Sequence, residues 1–287
     1  MKKVIGLLIG LLMLCSGALL AEDTGEKATV PLQDASRPPL IHAHLMNGGI
    51  TVRGADRADV LVEAFAHSRE DSREGRWRDR EDSREGRSSA RADGMKRLDL
   101  PGAAGLDVTE DNNVVNIRTT ANRAADLVIT VPRHSSLELK CMNGGDILVE
   151  RVDGEIDAEN LNGKITLKNV GGSVVAHSMN GQVEVSLDRV DPSKPMSFST
   201  MNGDIDVTLP DNAKANVRLK TDHGEIYSDF EVKLDSQARV VENEGGRRQD
   251  GSYHLRFDST LRGTINGGGP EYQFTTFNGQ IYIRKKK

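Results

Sequence analysis

Three groups of side chains have types and spacings that could do chemistry. His42 and His44 lie two apart in alternating sequence, so on a strand they share a face, the spacing of a metal-binding pair. No third ligand stands near them in sequence, and solvent-facing histidines are the plainer reading. Glu184, Asp204, Asp206 and Glu225 follow glycine turns at outward parity. On strands stacked about 4.8 Å apart, such a row could hold Ca²⁺ or protonate a glycosidic oxygen. Lys164 and Gln182 occupy the equivalent places in preceding repeats, so the row is short, and any solvated sheet face gives the same pattern. Cys141 shares inward parity with Leu137 and Leu139 and reads as a buried small hydrophobe. A nucleophile there would need a base and an exposed thiolate. No serine-hydrolase elbow, phosphate loop or dinucleotide fingerprint is present. These residues assign no catalytic role, metal or cofactor.

The elements that must position these groups come from repetition. An apolar residue precedes Asn-Gly at Asn47-Gly48, Asn143-Gly144, Asn162-Gly163, Asn180-Gly181, Asn202-Gly203 and Asn278-Gly279, and His223-Gly224 is a degenerate seventh copy. The repeats are densest from Leu127 onward, with a second, weaker glycine turn at Asp153-Gly154 and Gly171-Gly172. Each unit therefore holds two short strands and two turns, the mark of an arrayed supersecondary element. Counted back from each Asn, the sixth and fourth residues are apolar; counted forward, the third and fifth are. Side chains on a strand alternate with period two, so both flanks face one core and the turn takes one register step. A type I′ hairpin setting Phe198 opposite Val207 satisfies this parity. So does a solenoid corner with Asn in a left-handed bend, each Asn over the next. The spacing of the copies leans toward stacked coils, and the hairpin meander or sandwich remains the alternative.

The motif Ser199-Thr200-Met201-Asn202-Gly203-Asp204-Ile205-Asp206-Val207 resembles the DUF4097 family of β-strand-repeat proteins, whose members carry an adhesin label. The resemblance covers Leu127 to Ile283, with Ile41 to Val62 as an outlying repeat. It implies an all-β, solenoid-like fold and an envelope location, and it carries over no catalytic residue.

The N-terminus reads as a secretory signal peptide over residues 1–21: basic Lys2-Lys3, an apolar run from Val4 to Leu14, and cleavage after Ala21. Cys15 raises lipidation, but Leu14 stands where a lipobox wants a small residue. Residues 22–40 read as a polar arm, and residues 41–287 as the β-repeat domain. A charged insert at 68–93, disordered by composition, interrupts it with Arg69-Glu70-Asp71-Ser72 recurring as Arg80-Glu81-Asp82-Ser83. No later apolar run spans a membrane. A net charge of -5 offers no basic stripe for nucleic acid, and 4% aromatics argue against a sugar-stacking platform.

Met142, Leu161, Met179 and Met201, each just before a corner Asn, sit at outward parity. Stacked coils would align them as an apolar docking ridge, unless the corner turns them back into a secondary core. The reading that results is an exported, periplasmic or envelope protein, not an enzyme. Its adhesin-like β-solenoid either binds an envelope protein or cell-surface polymer or serves as a scaffold. The rival is a polysaccharide-active lyase or glycosidase on a β-helix.

Overall fold

The computed structural model describes residues 25–66, 105–119, 124–235, 241–242, 256–257 and 260–287. The segment expected to be a signal peptide and the charged insert lie outside these residues, as does most of the segment between Gln237 and Gly251. Among the described residues every regular element is a strand.

Each Asn-Gly copy joins one strand of a first sheet to one strand of a second, and neighbouring copies pair in parallel along both sheets. In stack order, coil 1 is Leu40–Asn47 with Ile50–Ala55, and coil 2 is Ser136–Asn143 with Ile147–Glu150. Coil 3 is Asp153–Asn162 with the start of the long strand Ile165–Asn180, whose end opens coil 4 before Val183–Val190. That strand crosses between sheets at a corner where Asn169 (φ 52°) and Gly172 (φ 103°) are left-handed. Coil 5 is Met196–Asn202 with Ile205–Leu209. The all-β solenoid holds and the hairpin alternative does not: Phe198 pairs with Ala176 and Phe274, and Val207 with Val185 and Ile283.

Stack order departs from chain order at both ends. The C-terminal copy, Glu271–Asn278 with Ile281–Lys285, is coil 6, and it lies between coil 5 and the degenerate coil 7, Ala215–His223 with Ile226–Ser228. At the other end, coil 1 is slotted between coil 2 and the pair Val114–Thr119 and Ala125–Pro132. Antiparallel strands then close the stack. Leu106–Asp111 and Asp59–Ala66 cover the first end, and Leu261–Ile265 the second. Residues 26–31, within the segment expected to be an arm, form an edge strand on Asp59–Ala66. Their Ala28 and Val30 alternate with Lys27 and Thr29, which suits a half-covered edge.

The inward parity positions make one continuous core between the sheets. It widens toward coils 5 and 6, where Phe198 and Phe274 replace the Ala158 and Ala176 of coils 3 and 4 and their rings stack 5.1 Å apart.

Candidate functional site

Three ladders run along the corner where the first sheet turns into the second. The corner asparagines are in register as Asn47 with Asn143 and as Asn162, Asn180, Asn202 and Asn278, with His223 ending the row. Each amide donates to the last: Asn180 Nδ2 to Asn162 Oδ1 at 3.0 Å, Asn202 to Asn180 at 2.8 Å, and Asn278 to Asn202 at 2.8 Å. The corner asparagines are absent from the positive-φ residues, contrary to the expected left-handed bend. Each ends a strand in extended backbone, which aims its amide along the stack.

Behind the asparagines, the glycines approach so closely that a Cβ on Gly181 would lie 2.0 Å from Gly163 O, and one on Gly203 would lie 2.4 Å from Gly181 O. In coil 2 the stacked residue is Gly145, which meets Gly48; Gly144 bulges outward at φ 70° with nothing near it. Except at Asn47, where Leu45 stands, the inward residue two before each corner Asn, and before His223, feeds these glycine carbonyls. Ser178 donates to Gly163 at 3.1 Å, Thr200 to Gly181 at 2.8 Å, Thr276 to Gly203 at 3.0 Å and Thr221 to Gly279 at 3.0 Å. Asn160 does the same for Gly145 at 2.8 Å, and Cys141 for Gly48 at 2.9 Å.

Cys141 is thus more than a small hydrophobe: it is a hydroxyl-ladder position filled by sulfur. Burial pushes its thiol up to about 11, so it holds its proton at neutral pH and is no nucleophile. Cys141→Ser should keep the hydrogen bond and melt within about 1 kcal/mol of the parent, whereas Cys141→Val should cost about 1–3 kcal/mol by stranding the Gly48 carbonyl. Thermal unfolding of the two variants side by side checks this.

In front of the ladders stands the row just before each Asn. Met46 is 45% exposed, Met142 48%, Met179 39%, Met201 50% and Phe277 47%, and Leu161 is half-buried between Met142 and Met179. The corner therefore leaves this row outward and does not fold it into a second core. A groove of about 440 Å³ runs beside it, lined by His44, Met46, Met142, Leu161, His177 and Met179 among others.

The next rows inward along the first sheet are charged. Glu138 lies 3.3 Å from His42 Nε2 and 3.8 Å from His44 Nε2. A hydrogen bond from Lys140 holds the Glu138 carboxyl below its ordinary value. Desolvation lowers His44, so the ring favours its neutral form. Asp157 is raised by burial, and its Oδ1 is buried with no partner. His177 Nδ1 lies 2.7 Å from Ser199 Oγ.

The acidic row of the enzyme alternative assembles only in part: Glu184 and Asp206 are in register on adjacent coils, and the row stops there. Coil 6 puts Tyr282 between Asp206 and Tyr227, and Gln280 between Asp204 and Glu225, so Asp206 and Glu225 are not on adjacent coils. The carboxylates are also engaged. Glu184 pairs with Lys164, Asp206 with Arg284, Glu225 with the Tyr227 hydroxyl, and Asp204 accepts from Gln280 N. Among the described residues no group of three His, Cys, Asp or Glu could hold a metal ion.

Residues 155–266 match the family model Toastrack DUF4097. The match takes in the corners of coils 3, 4, 5 and 7, while coils 1, 2 and 6 lie outside it. Two solved structures are similar. A "putative cell adhesion protein" from Clostridium sporogenes is 11% identical over 91% of this chain and 100% of that one, with a TM-score of 0.42. A "putative adhesin" from Bacteroides fragilis is 10% identical over 92% and 98%, with a TM-score of 0.30. No curated protein matches the chain.

Proposed function

We propose that this is an exported, non-enzymatic envelope protein that binds an extended segment of a protein partner along the ridge Met46–Met142–Leu161–Met179–Met201–Phe277. The observation that carries this reading is a row of large apolar side chains on six neighbouring coils, exposed on five of them and half-buried at Leu161. Soluble proteins seldom leave such a row uncovered without a use for it. The ridge is one residue wide and, at about 4.8 Å per coil, about 24 Å long. A standard interface buries about 800 Å² per partner. A single row falls short of that, so the partner must be narrow and must also meet the flanking amide ladder and the His44, Lys140, Glu159 and His177 row. Methionines adapt to irregular apolar partners at low strain. Export rests on the basic and apolar N-terminus with cleavage after Ala21.

Met179→Ser with Met201→Ser tests the ridge in cells that make this chain. The double variant should melt close to the parent, since exposed substitutions change stability by about 0.5 kcal/mol, and should be retained on isolated envelopes about tenfold less, a change of about 1.4 kcal/mol. Protease treatment of the envelopes should abolish retention of the parent. Retention that survives protease indicates a polymer instead, and equal retention of parent and variant overturns the ridge. A mature chain beginning at Glu22 is the expected product of export.

A further inference from the structure

We propose that His44, Met46 and Met142, and separately His177, Met179 and Met201, form two sites for a soft monovalent metal ion, Cu(I) or Ag(I). The sequence His-x-Met occurs at both places, His44-Leu45-Met46 and His177-Ser178-Met179. On a strand these two side chains lie on one face about 7 Å apart along the backbone. Each pair acquires a second thioether from the adjacent coil. The register of Leu45 with Cys141 and Asn47 with Asn143 sets Met46 beside Met142. That of Ser178 with Thr200 and Asn180 with Asn202 sets Met179 beside Met201. The neighbouring strand is about 4.8 Å away, within the sweep of unbranched side chains with three rotatable bonds. The two sites are separated by coil 3, where Glu159 and Leu161 stand in place of histidine and methionine.

The donor set decides the class of ion. Two neutral thioethers and one imidazole are soft to borderline ligands, which select Cu(I) over Mg²⁺, Ca²⁺ or Zn²⁺. They add no negative charge, so a monovalent ion is the one they can hold without leaving a large uncompensated charge in an apolar groove. The imidazoles are placed for it. The His177 contact to Ser199 Oγ is made through Nδ1, which orients the ring and leaves Nε2 free as a donor. The groove beside the ridge is lined by both histidines together with Met46, Met142 and Met179.

This inference uses residues of the docking ridge but does not depend on docking, because leucine separates the two. Replacing methionine by leucine keeps an apolar ridge and removes the sulfur. Ag(I), supplied as the nitrate in chloride-free buffer, is the probe. Parent and variants all carry Cys15→Ser and Cys141→Ser, because free thiols would themselves take up Ag(I), and uptake is followed by calorimetry on the full chain and by the methyl resonances of its methionines. The parent should take up two equivalents and shift the methyl signals of Met46, Met142, Met179 and Met201. Met179→Leu with Met201→Leu should take up one, and the variant with all four leucines none. A single equivalent that disappears in the Met179→Leu, Met201→Leu pair overturns the first site and keeps the second. Undiminished uptake by the four-leucine variant, or none by the parent, overturns the proposal.

Discussion

Removing residues 269–287 is expected to collapse the cooperative unfolding of the chain. It should not merely shorten the stack by one repeat. In a linear array the last repeat in sequence is the last in space, and its loss costs only one interface. Here that repeat is coil 6, and its removal leaves a gap between coil 5 and coil 7. Tyr272, Phe274, Ile281 and Ile283 go with it, all buried. At about 1.5–3 kcal/mol for each large apolar side chain, their loss removes about 6–12 kcal/mol, comparable with the whole stability of an ordinary domain at about 5–15 kcal/mol. Backbone groups are stranded on both sides as well. Gly203 N loses Asn278 O at 2.9 Å and Ile205 N loses Gln280 O at 2.9 Å, while His223 O loses its donor Gly279 N at 3.1 Å. Circular dichroism on heating should show the sharp transition of the full chain replaced by a broad one at much lower temperature, with early proteolysis in residues 210–235. A truncated chain melting within a few degrees of the parent would show that coils 5 and 7 can close on each other.

What the sequence made legible, and what it hid, follows from how local each signal is. Parity around each Asn-Gly reports only on a few residues either side, so it places Ile205 and Val207 inward and Met201 outward, and the structure agrees. The same parity is silent on which coil lies next to which. Nothing in Tyr272 to Ile283 says that this copy sits between coils 5 and 7, because every copy presents the same apolar alternation. The hydroxyl ladder leaves a trace that can be read. Ser178, Thr200, Thr276 and Thr221 are polar residues at inward positions of otherwise apolar rows, and an exception repeated at one place in a motif signals a shared hydrogen bond. Cys141 hides in that row because sulfur passes for a hydrophobe. The ridge lies at the limit of the method. Outward parity holds for Met179 only if the strand continues to the corner, and the corner geometry belongs to the stack. The acidic row was legible as a pattern but not as an arrangement, since Gln280 and Tyr282 arrive from a distant part of the chain to divide it.

Gly181→Ala, the addition of one methyl group, should be among the costliest small changes the fold can receive. The new Cβ would lie 2.0 Å from Gly163 O and 2.5 Å from its carbonyl carbon, which are main-chain atoms with no rotamer to yield. Relief requires coils 3 and 4 to separate at the corner. That strains three hydrogen bonds made there: Gly163 N to Asn180 O at 3.1 Å, Ser178 Oγ to Gly163 O at 3.1 Å, and Asn180 Nδ2 to Asn162 Oδ1 at 3.0 Å. Overpacking of this kind typically costs about 1–3 kcal/mol, and the weakened bonds add about 1 kcal/mol each, so a loss of about 3 kcal/mol or more is expected. Gly144→Ala is the matched control. At φ 70° it meets nothing within 4 Å, so it should carry only the left-handed backbone penalty, about 1–2 kcal/mol. Urea unfolding of both variants compares steric approach with backbone conformation in one motif. If Gly181→Ala is no more costly than Gly144→Ala, the coils have slack at the corner, and the glycines are there for their dihedral freedom. If it is costlier by at least about 1.4 kcal/mol, tenfold in the unfolding equilibrium, close contact between successive coils is what keeps glycine after the corner asparagine.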